Sequence, residues 1–291
     1  MSKPSLSIII TAYNEEASIQ ACLESLVAQT QNSFMLCEII VISDGSTDQT
    51  VSVAKNVNNN LIRVIKHNEN KGMQERLNEG FREAQGDYLF KIDADLTLFK
   101  KTSLEEIMNS ALQSQVDGII MFREYEKPQN VIQRYLFFWD AFRKSVLSHL
   151  PESFLIDRVT GSYLLSREIY QKISIPNNVI EEDRYTLLHV LSQDKKATHL
   201  DSPLVCGNYL KSWEHIVRQR ARYSTSTITP KHFSKDFLKI HQPPIPKWAI
   251  FTALFRHLLA KPQDTLYLFI RIWVNRRASA LKKESPIQRT W

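Results

Sequence analysis

Asp93 and Asp95, one residue apart, close an apolar run (YLFKI, residues 88–92). On an extended strand alternate residues share a face, so both carboxylates can address one pocket. Two hard oxygen ligands, completed by phosphate oxygens, suit Mg2+ or Mn2+, which proteins rarely cage alone. A cation held there would neutralise the charge on a leaving diphosphate. The bland alternative is an acidic exit from a strand. Asp44 follows a second apolar run and precedes Gly45-Ser46-Thr47-Asp48. Its carboxylate can accept hydrogen bonds from a nucleobase or ribose, or the segment can simply cap a helix. Asp183 ends the run Glu181-Glu182-Asp183. A hydroxyl is a weak nucleophile until its proton is removed, and a carboxylate within hydrogen-bond reach can remove it. A solvated or capping acidic run is the plainer reading. Gln219, Arg220, Arg222 and Tyr223 can contact a diphosphate or a sugar ring, or form an exposed basic helix face.

These residues need elements to position them. Continuous apolar runs at 6–11 (LSIIIT) and 39–43 (IIVIS) fit strands buried on both faces, as in a parallel sheet. Further strands fit 62–66, 88–92, 118–122 and the segment from Gly161 to Ser166. Helical spacing marks Ile19, Cys22, Leu23 and Leu26, then Ala54 and Val57, then Met73, Leu77 and Phe81, then Leu104, Ile107, Met108 and Ala111. A long aromatic helix is expected over 130–149, and Glu181-Glu182-Asp183 opens another, where the dipole favours acidic groups. Strands alternating with helices indicate βαβ units. Ligands in such sheets bind beyond the carboxyl ends of the strands. The clusters Tyr13-Asn14-Glu15, Asp44-Gly45-Ser46 and Asp93-Ala94-Asp95 all fall at such ends.

Composition is that of a folded globular chain: 43% hydrophobic and 23% charged in 291 residues. Cys22, Cys37 and Cys206 are widely spaced, with no CxxC pair for zinc. With no leader-like N-terminus, they suggest reduced thiols in a cytoplasmic compartment. Charge is uneven. Residues 231–291 carry 12 Lys and Arg against 3 Asp and Glu, a net of +9, while residues 1–230 carry 25 against 28, a net of −3. The basic residues interleave with apolar stretches at 248–260 and 265–274, both short of the ~18–20 apolar residues of a membrane-spanning helix. A membrane face suits this pattern better than nucleic acid. Peripheral contact through 247–283 is therefore expected, with packing on the catalytic body as the alternative.

Taken in order, the clusters resemble the inverting glycosyltransferases of family 2. SIIITAYNEE looks like their first strand and nucleotide loop, and IIVISDGSTDQT like the second strand with its uracil-contacting Asp. Asn70-Lys71-Gly72 with Leu77-Asn78-Glu79-Gly80 looks like the N-x-G helix. Asp93 and Asp95 match the DxD, Gly161-Ser162-Tyr163 the acceptor-side segment, Glu182-Asp183 the ED motif, and Gln219 to Tyr223 the QxxRW motif, with Tyr223 in place of Trp. The resemblance covers residues 5 to about 223. It implies a GT-A type, Rossmann-like α/β fold: a mixed, mainly parallel sheet flanked by helices, with a C-terminal helical extension. Residues 1–229 would be the transferase domain, with a nucleotide-sugar half (1–100) and an acceptor half (101–229). Residues 230–291 would be a basic, aromatic, amphipathic tail.

By the same resemblance, Thr11, Tyr13, Glu15, Asp44, Lys71, Asp93 and Ala94 would bind the nucleotide-sugar, and Asp95 with Asp93 the Mg2+ or Mn2+. Asp183 would be the base, and Gly161, Glu182, Gln219, Arg222 and Tyr223 would line the acceptor or diphosphate side. The expected reaction moves a sugar from a nucleoside diphosphate, UDP by analogy, to a saccharide or lipid-linked acceptor. Family members with the QxxRW motif usually carry transmembrane helices. None is evident here, so single addition at the inner face of a membrane is expected. Two rivals remain: a nucleotidyltransferase, which would release pyrophosphate and wants a Gly-rich basic loop where Asn14-Glu15-Glu16 stands, and an inactive nucleotide-sugar-binding module.

Overall fold

The computed structural model describes residues 3–207, 210, 212–223 and 227–284. Chain order is β1 (Ser5–Ala12), α1 (Ile19–Val27), β2 (Met35–Asp44), α2 (Thr50–Asn56), β3 (Ile62–His67), α3 (Met73–Glu83), β4 (Tyr88–Lys91), β5 (Leu96–Leu98), α4 (Ser103–Ser114) and β6 (Gly118–Tyr125). Then come α5 (Val131–Leu147), a 3-10 segment (Glu152–Arg158), β7 (Tyr163–Ser166), α6 (Arg167–Tyr170), α7 (Glu182–Ser192) and β8 (Ala197–Gly207). The chain continues through α8 (Trp213–Arg222), α9 (Lys235–His241), α10 (Lys247–Ala260), a 3-10 turn (Pro262–Asp264) and α11 (Thr265–Glu284).

The eight strands form one sheet in the order β3-β2-β1-β4-β7-β6-β8-β5. The first four are parallel; β7 runs antiparallel to β4, and β6 antiparallel to β7. This is the expected mixed, mainly parallel sheet flanked by helices. The apolar runs behave as their continuity requires: Ile8, Ile9 and Ile10 of β1 and Ile39 to Ile42 of β2 are all fully buried. Helix α1 covers one face with Ile19, Cys22, Leu23 and Leu26, and α4 adds Leu104, Ile107, Met108 and Ala111. Burying such side chains stabilises the sheet by roughly 1.5–3 kcal/mol each.

The chain divides into two compact units, residues 3–124 with 159–207, and 125–158 with 208–284. The division is not at the composition break near 230. Helix α5 groups with the tail because its apolar side chains pack there: Val146 and Leu147 cluster with Ala249 and Ala253, and Tyr135 with Ile216 and Val274. Strand β8 was not legible beforehand, since ATHLDSPLVCG breaks any alternation with a charge and a proline. It pairs antiparallel with the three-residue β5 at the sheet's end. No helix among the described residues is long and apolar enough to cross a membrane.

Candidate functional site

The parallel strands end where the acidic clusters begin. β1 ends at Ala12, just before Tyr13, and β2 ends on Asp44 itself. β4 stops at Lys91, so Asp93-Ala94-Asp95 is not an extended strand end but the turn into β5, closed by Leu96 N donating to the Asp93 carbonyl at 3.1 Å. The turn still brings the carboxylates together. Burial, and then the charge of Asp93, push Asp95's carboxyl above the usual range, with the Arg123 guanidinium working against them. Glu15 belongs to the same acidic neighbourhood: burial raises its pKa, Ser18 opposes, and Asp95 and Asp93 add to the rise. Thr11 is buried on β1, and its hydroxyl oxygen has no hydrogen-bond partner among the described residues. A bound ligand or water commonly satisfies such an orphan. Ala94 is buried, which leaves the two flanking aspartates as the turn's polar groups.

Gly161 joins this turn to Glu182-Asp183. It has φ +90°, and a Cβ there would lie 2.7 Å from Asp93 Oδ2. Only glycine fits so close an approach at that backbone angle. Its N–H donates to Asp183 Oδ2 at 3.1 Å, and its carbonyl accepts from Lys91 Nζ at 2.7 Å. One peptide neighbourhood therefore touches both acidic segments. Asp183 is further fixed by the Arg184 N–H, which donates to Oδ1 at 2.7 Å in the first turn of α7. Acidic groups are favoured at that helix end.

Lys91 is the feature that the sequence reading missed. It is fully buried, and its ammonium donates to Asp93 Oδ1 at 2.5 Å and Glu182 Oε1 at 3.3 Å. Burial works against its charge, but Asp93 and Glu182 outweigh it and hold the ammonium above the usual lysine range. Glu182 is pushed up to about 7 by burial, against the pull of Lys91 and with Asp183 and Asp93 adding to the rise. The 2.5 Å contact marks Asp93 as the principal ion pair and Glu182 as the carboxyl that yields to burial. The signal was present in YLFKI, a charge inside a doubly buried strand. Arg123 was missed likewise. Its guanidinium donates to the Thr160 carbonyl at 2.9 Å, and a Cβ on Gly207 would meet its Cδ, so that glycine clears its path.

Asp44 has no exposed surface. Its Oδ1 accepts from Lys71 N at 2.9 Å and Arg76 Nε at 2.6 Å, and its Oδ2 from Gly72 N at 2.8 Å. The carboxylate thus pins the start of α3, and the Lys71 side chain is left exposed. Arg76 is itself buried, so removing Asp44 would take away its 2.6 Å carboxylate partner and leave Glu79, at 3.2 Å, to hold the guanidinium. Asp44→Ala should lower the unfolding free energy by about 3–5 kcal/mol, the usual cost of breaking a buried pair from one side. Chemical denaturation checks this; an unchanged midpoint would show that the pair is not structural.

Gln219, Arg222 and Tyr223 belong to the second unit. Gln219 and Tyr223 are exposed at the end of α8, and Arg222 sits over the Tyr223 ring, 5.1 Å from its centroid. In the first unit, the residues that fit a cation are Asp95 and Asp93. No group of three or more His, Cys, Asp or Glu poised to hold a metal occurs among the described residues. Two carboxylates fit a divalent ion that takes its other ligands from diphosphate and water.

Comparison with known proteins bears on this geometry. A sequence model described as Glycosyl transferase family 2 matches residues 7–174. An uncharacterized glycosyltransferase of Escherichia coli (strain K12), YibD, is 38% identical over 113 residues, covering 38% of this chain and 32% of that protein. The match thus spans about a third of that relative's length. The mannosyltransferase PcManGT of Pyrobaculum calidifontis, solved with GDP-Man and Mn2+, superposes with a TM-score of 0.63 at 17% identity, covering 99% of this chain and 89% of that one. Glucosyl-3-phosphoglycerate synthase of Mycobacterium tuberculosis, solved with Mn2+, UDP and glucosyl-3-phosphoglycerate, gives 0.52 at 18%, covering 76% and 80%. At such identities the two structures share the fold, the GT-A arrangement.

Proposed function

Because the chain belongs to glycosyl transferase family 2, we propose that it is an inverting enzyme that moves a sugar from a nucleoside diphosphate to an acceptor hydroxyl. The observation that carries this reading is Gly161, whose N–H holds Asp183 while its missing side chain admits Asp93. The donor-side carboxylate and a carboxylate base thereby share one small site. Tyr13, Asp44 and the Lys71 backbone that Asp44 holds frame the nucleobase end, with uridine as the expected base. Thr11, Glu15, Ala94 and Asp93 line the donor beside it. Asp95, with Asp93, would hold Mg2+ or Mn2+, which when bound neutralises the departing diphosphate.

In the transfer, Asp183 takes the acceptor's proton as the hydroxyl oxygen bonds to the anomeric carbon. The carbon–phosphate oxygen bond breaks on the opposite face, and the nucleoside diphosphate leaves with the electron pair. Two backbone N–H groups fix the Asp183 carboxylate and leave lone pairs for that proton. No second carboxylate is needed to protonate the leaving group, unlike glycoside hydrolysis. Glu182 and Gly161 shape the acceptor side, and Gln219, Arg222 and Tyr223 are assigned to acceptor or diphosphate by family resemblance. The acceptor is a saccharide or a lipid-linked sugar in polysaccharide or glycolipid synthesis, with the enzyme cytoplasmic and peripheral at a membrane's inner face.

A donor screen tests this. Wild type with Mn2+ or Mg2+ should release a nucleoside diphosphate from one sugar nucleotide when a lipid extract supplies acceptor. Asp95→Ala should lose at least about tenfold in activity at saturating metal, a loss of the order expected when metal-held charge is removed. Pyrophosphate release, or binding of nucleotide with no turnover of any donor, would contradict the proposal.

A further inference from the structure

Helices α10 and α11 each turn a face of bulky apolar residues to solvent. In α10 the small residues are buried: Ala249 and Ala253 pack with Val146, Leu147, Leu150 and Phe154. The bulky ones face out, with Trp248, Phe251, Phe255 and Leu259 at 57, 65, 66 and 66% exposure. Their spacing of three or four residues places all four on one helical face. In α11 one apolar face packs inward, with Val274 and Ala278 buried and Tyr267 and Ile270 packed beside Val274, while a second, formed by Leu266, Phe269, Ile272 and Trp273, is 45–65% exposed. Single exposed apolar residues need no explanation, but two such faces on successive helices do.

We infer that these outward faces are a docking surface for an anionic lipid bilayer, with α10 and α11 lying in the plane of the interface. Charge selects this occupant. Lys247, Arg256, Lys261, Arg276 and Arg277 are exposed on the same two helices and the turn between them. Across residues 231–291, 12 basic residues face only 3 acidic ones. A second copy would bring like charge against like charge, whereas lipid phosphates complement it. Trp248 and Trp273 suit the headgroup boundary, where an apolar ring with a polar N–H is at home. Neither helix is apolar and long enough to span the bilayer, so attachment is from one side. The inference leans on the proposed transfer only for its purpose, delivery of a lipid-linked acceptor, and not for its geometry.

The test is co-sedimentation of the full chain with vesicles of phosphatidylcholine alone or in equal parts with phosphatidylglycerol. A variant with Phe251→Ser, Phe255→Ser and Phe269→Ser is run beside it. None of these residues is assigned to the transfer site, and the variant should keep the wild-type melting temperature and the wild-type rate of nucleoside diphosphate release with detergent-solubilised lipid extract as acceptor. Wild type should pellet with the anionic vesicles and far less with the neutral ones. The variant's partition coefficient should fall on the order of a hundredfold, as expected when three interfacial aromatics are lost. Wild type remaining in the supernatant, or the variant pelleting equally, would overturn the inference. So would a dimer in sedimentation velocity that the variant abolishes, since the faces would then cover each other. Nucleoside diphosphate release is read separately, with the acceptor extract in detergent and no vesicles, so failure of docking and failure of the transfer reading are separate results.

Discussion

Replacing Asp183 with Asn should lower kcat by a factor on the order of a hundred to ten thousand, the usual worth of a positioned general base. The substitution keeps the side chain's shape. An amide oxygen can still accept from the Gly161 N–H at the position that Asp183 Oδ2 now occupies, and only the Arg184 N–H at Oδ1 loses its acceptor, a cost of about 1 kcal/mol. Stability should therefore change little, and so should the donor's KM, because the proton is taken from the acceptor. Loss in kcat with donor binding intact is the signature of a group acting in the transition state. Steady-state kinetics with calorimetric donor binding checks it. A variant with wild-type kcat would remove Asp183 from the mechanism, and the base would have to be sought elsewhere.

Lys91→Met should have the second large effect, on stability and activity together. The ammonium is fully buried and serves two carboxylates and one carbonyl. Methionine fills similar volume but leaves Asp93 and Glu182 without their cation. Removing one partner of such a buried pair costs about 3–5 kcal/mol. The loss should appear as a lower denaturation midpoint. Activity should fall by more than the folded fraction explains, because Asp93 would no longer be anchored beside Gly161. A charge-matched double variant, Lys91→Met with Glu182→Gln, separates the two effects. It should recover part of the stability and little of the activity, since Asp93 still lacks its anchor. Full recovery of both would reduce Lys91 to a charge-balancing core residue.

Much of the fold was legible because its signals are local. The run IIVIS, short and followed at once by the turn residues DGSTD, fits a strand covered on both sides, and the four-residue spacing of Met73, Leu77 and Phe81 fits a helix. Strand β8 was hidden because its partner, β5, is three residues long and lies about a hundred positions away in sequence. The site was legible as a set of carboxylates but not as a network. Nothing in the string DAD says that β4 stops at Lys91, or that Gly161 folds back onto Asp93. Lys91 itself could have been singled out, since a lysine within YLFKI demands buried acidic partners. Asp44 shows the opposite limit. Its position after a strand suggests a ligand contact, but nothing in the sequence shows that its carboxylate also holds Arg76 and the start of α3.

The central claim is a single displacement with Asp183 as base, and the stereochemistry of the product tests it most directly. An α-linked donor is turned over, the transferred sugar is isolated on its acceptor, and its anomeric proton coupling is measured by NMR. A β linkage is the expected product. A product that keeps the α configuration would contradict it and require a mechanism in which Asp183 is not the sole base.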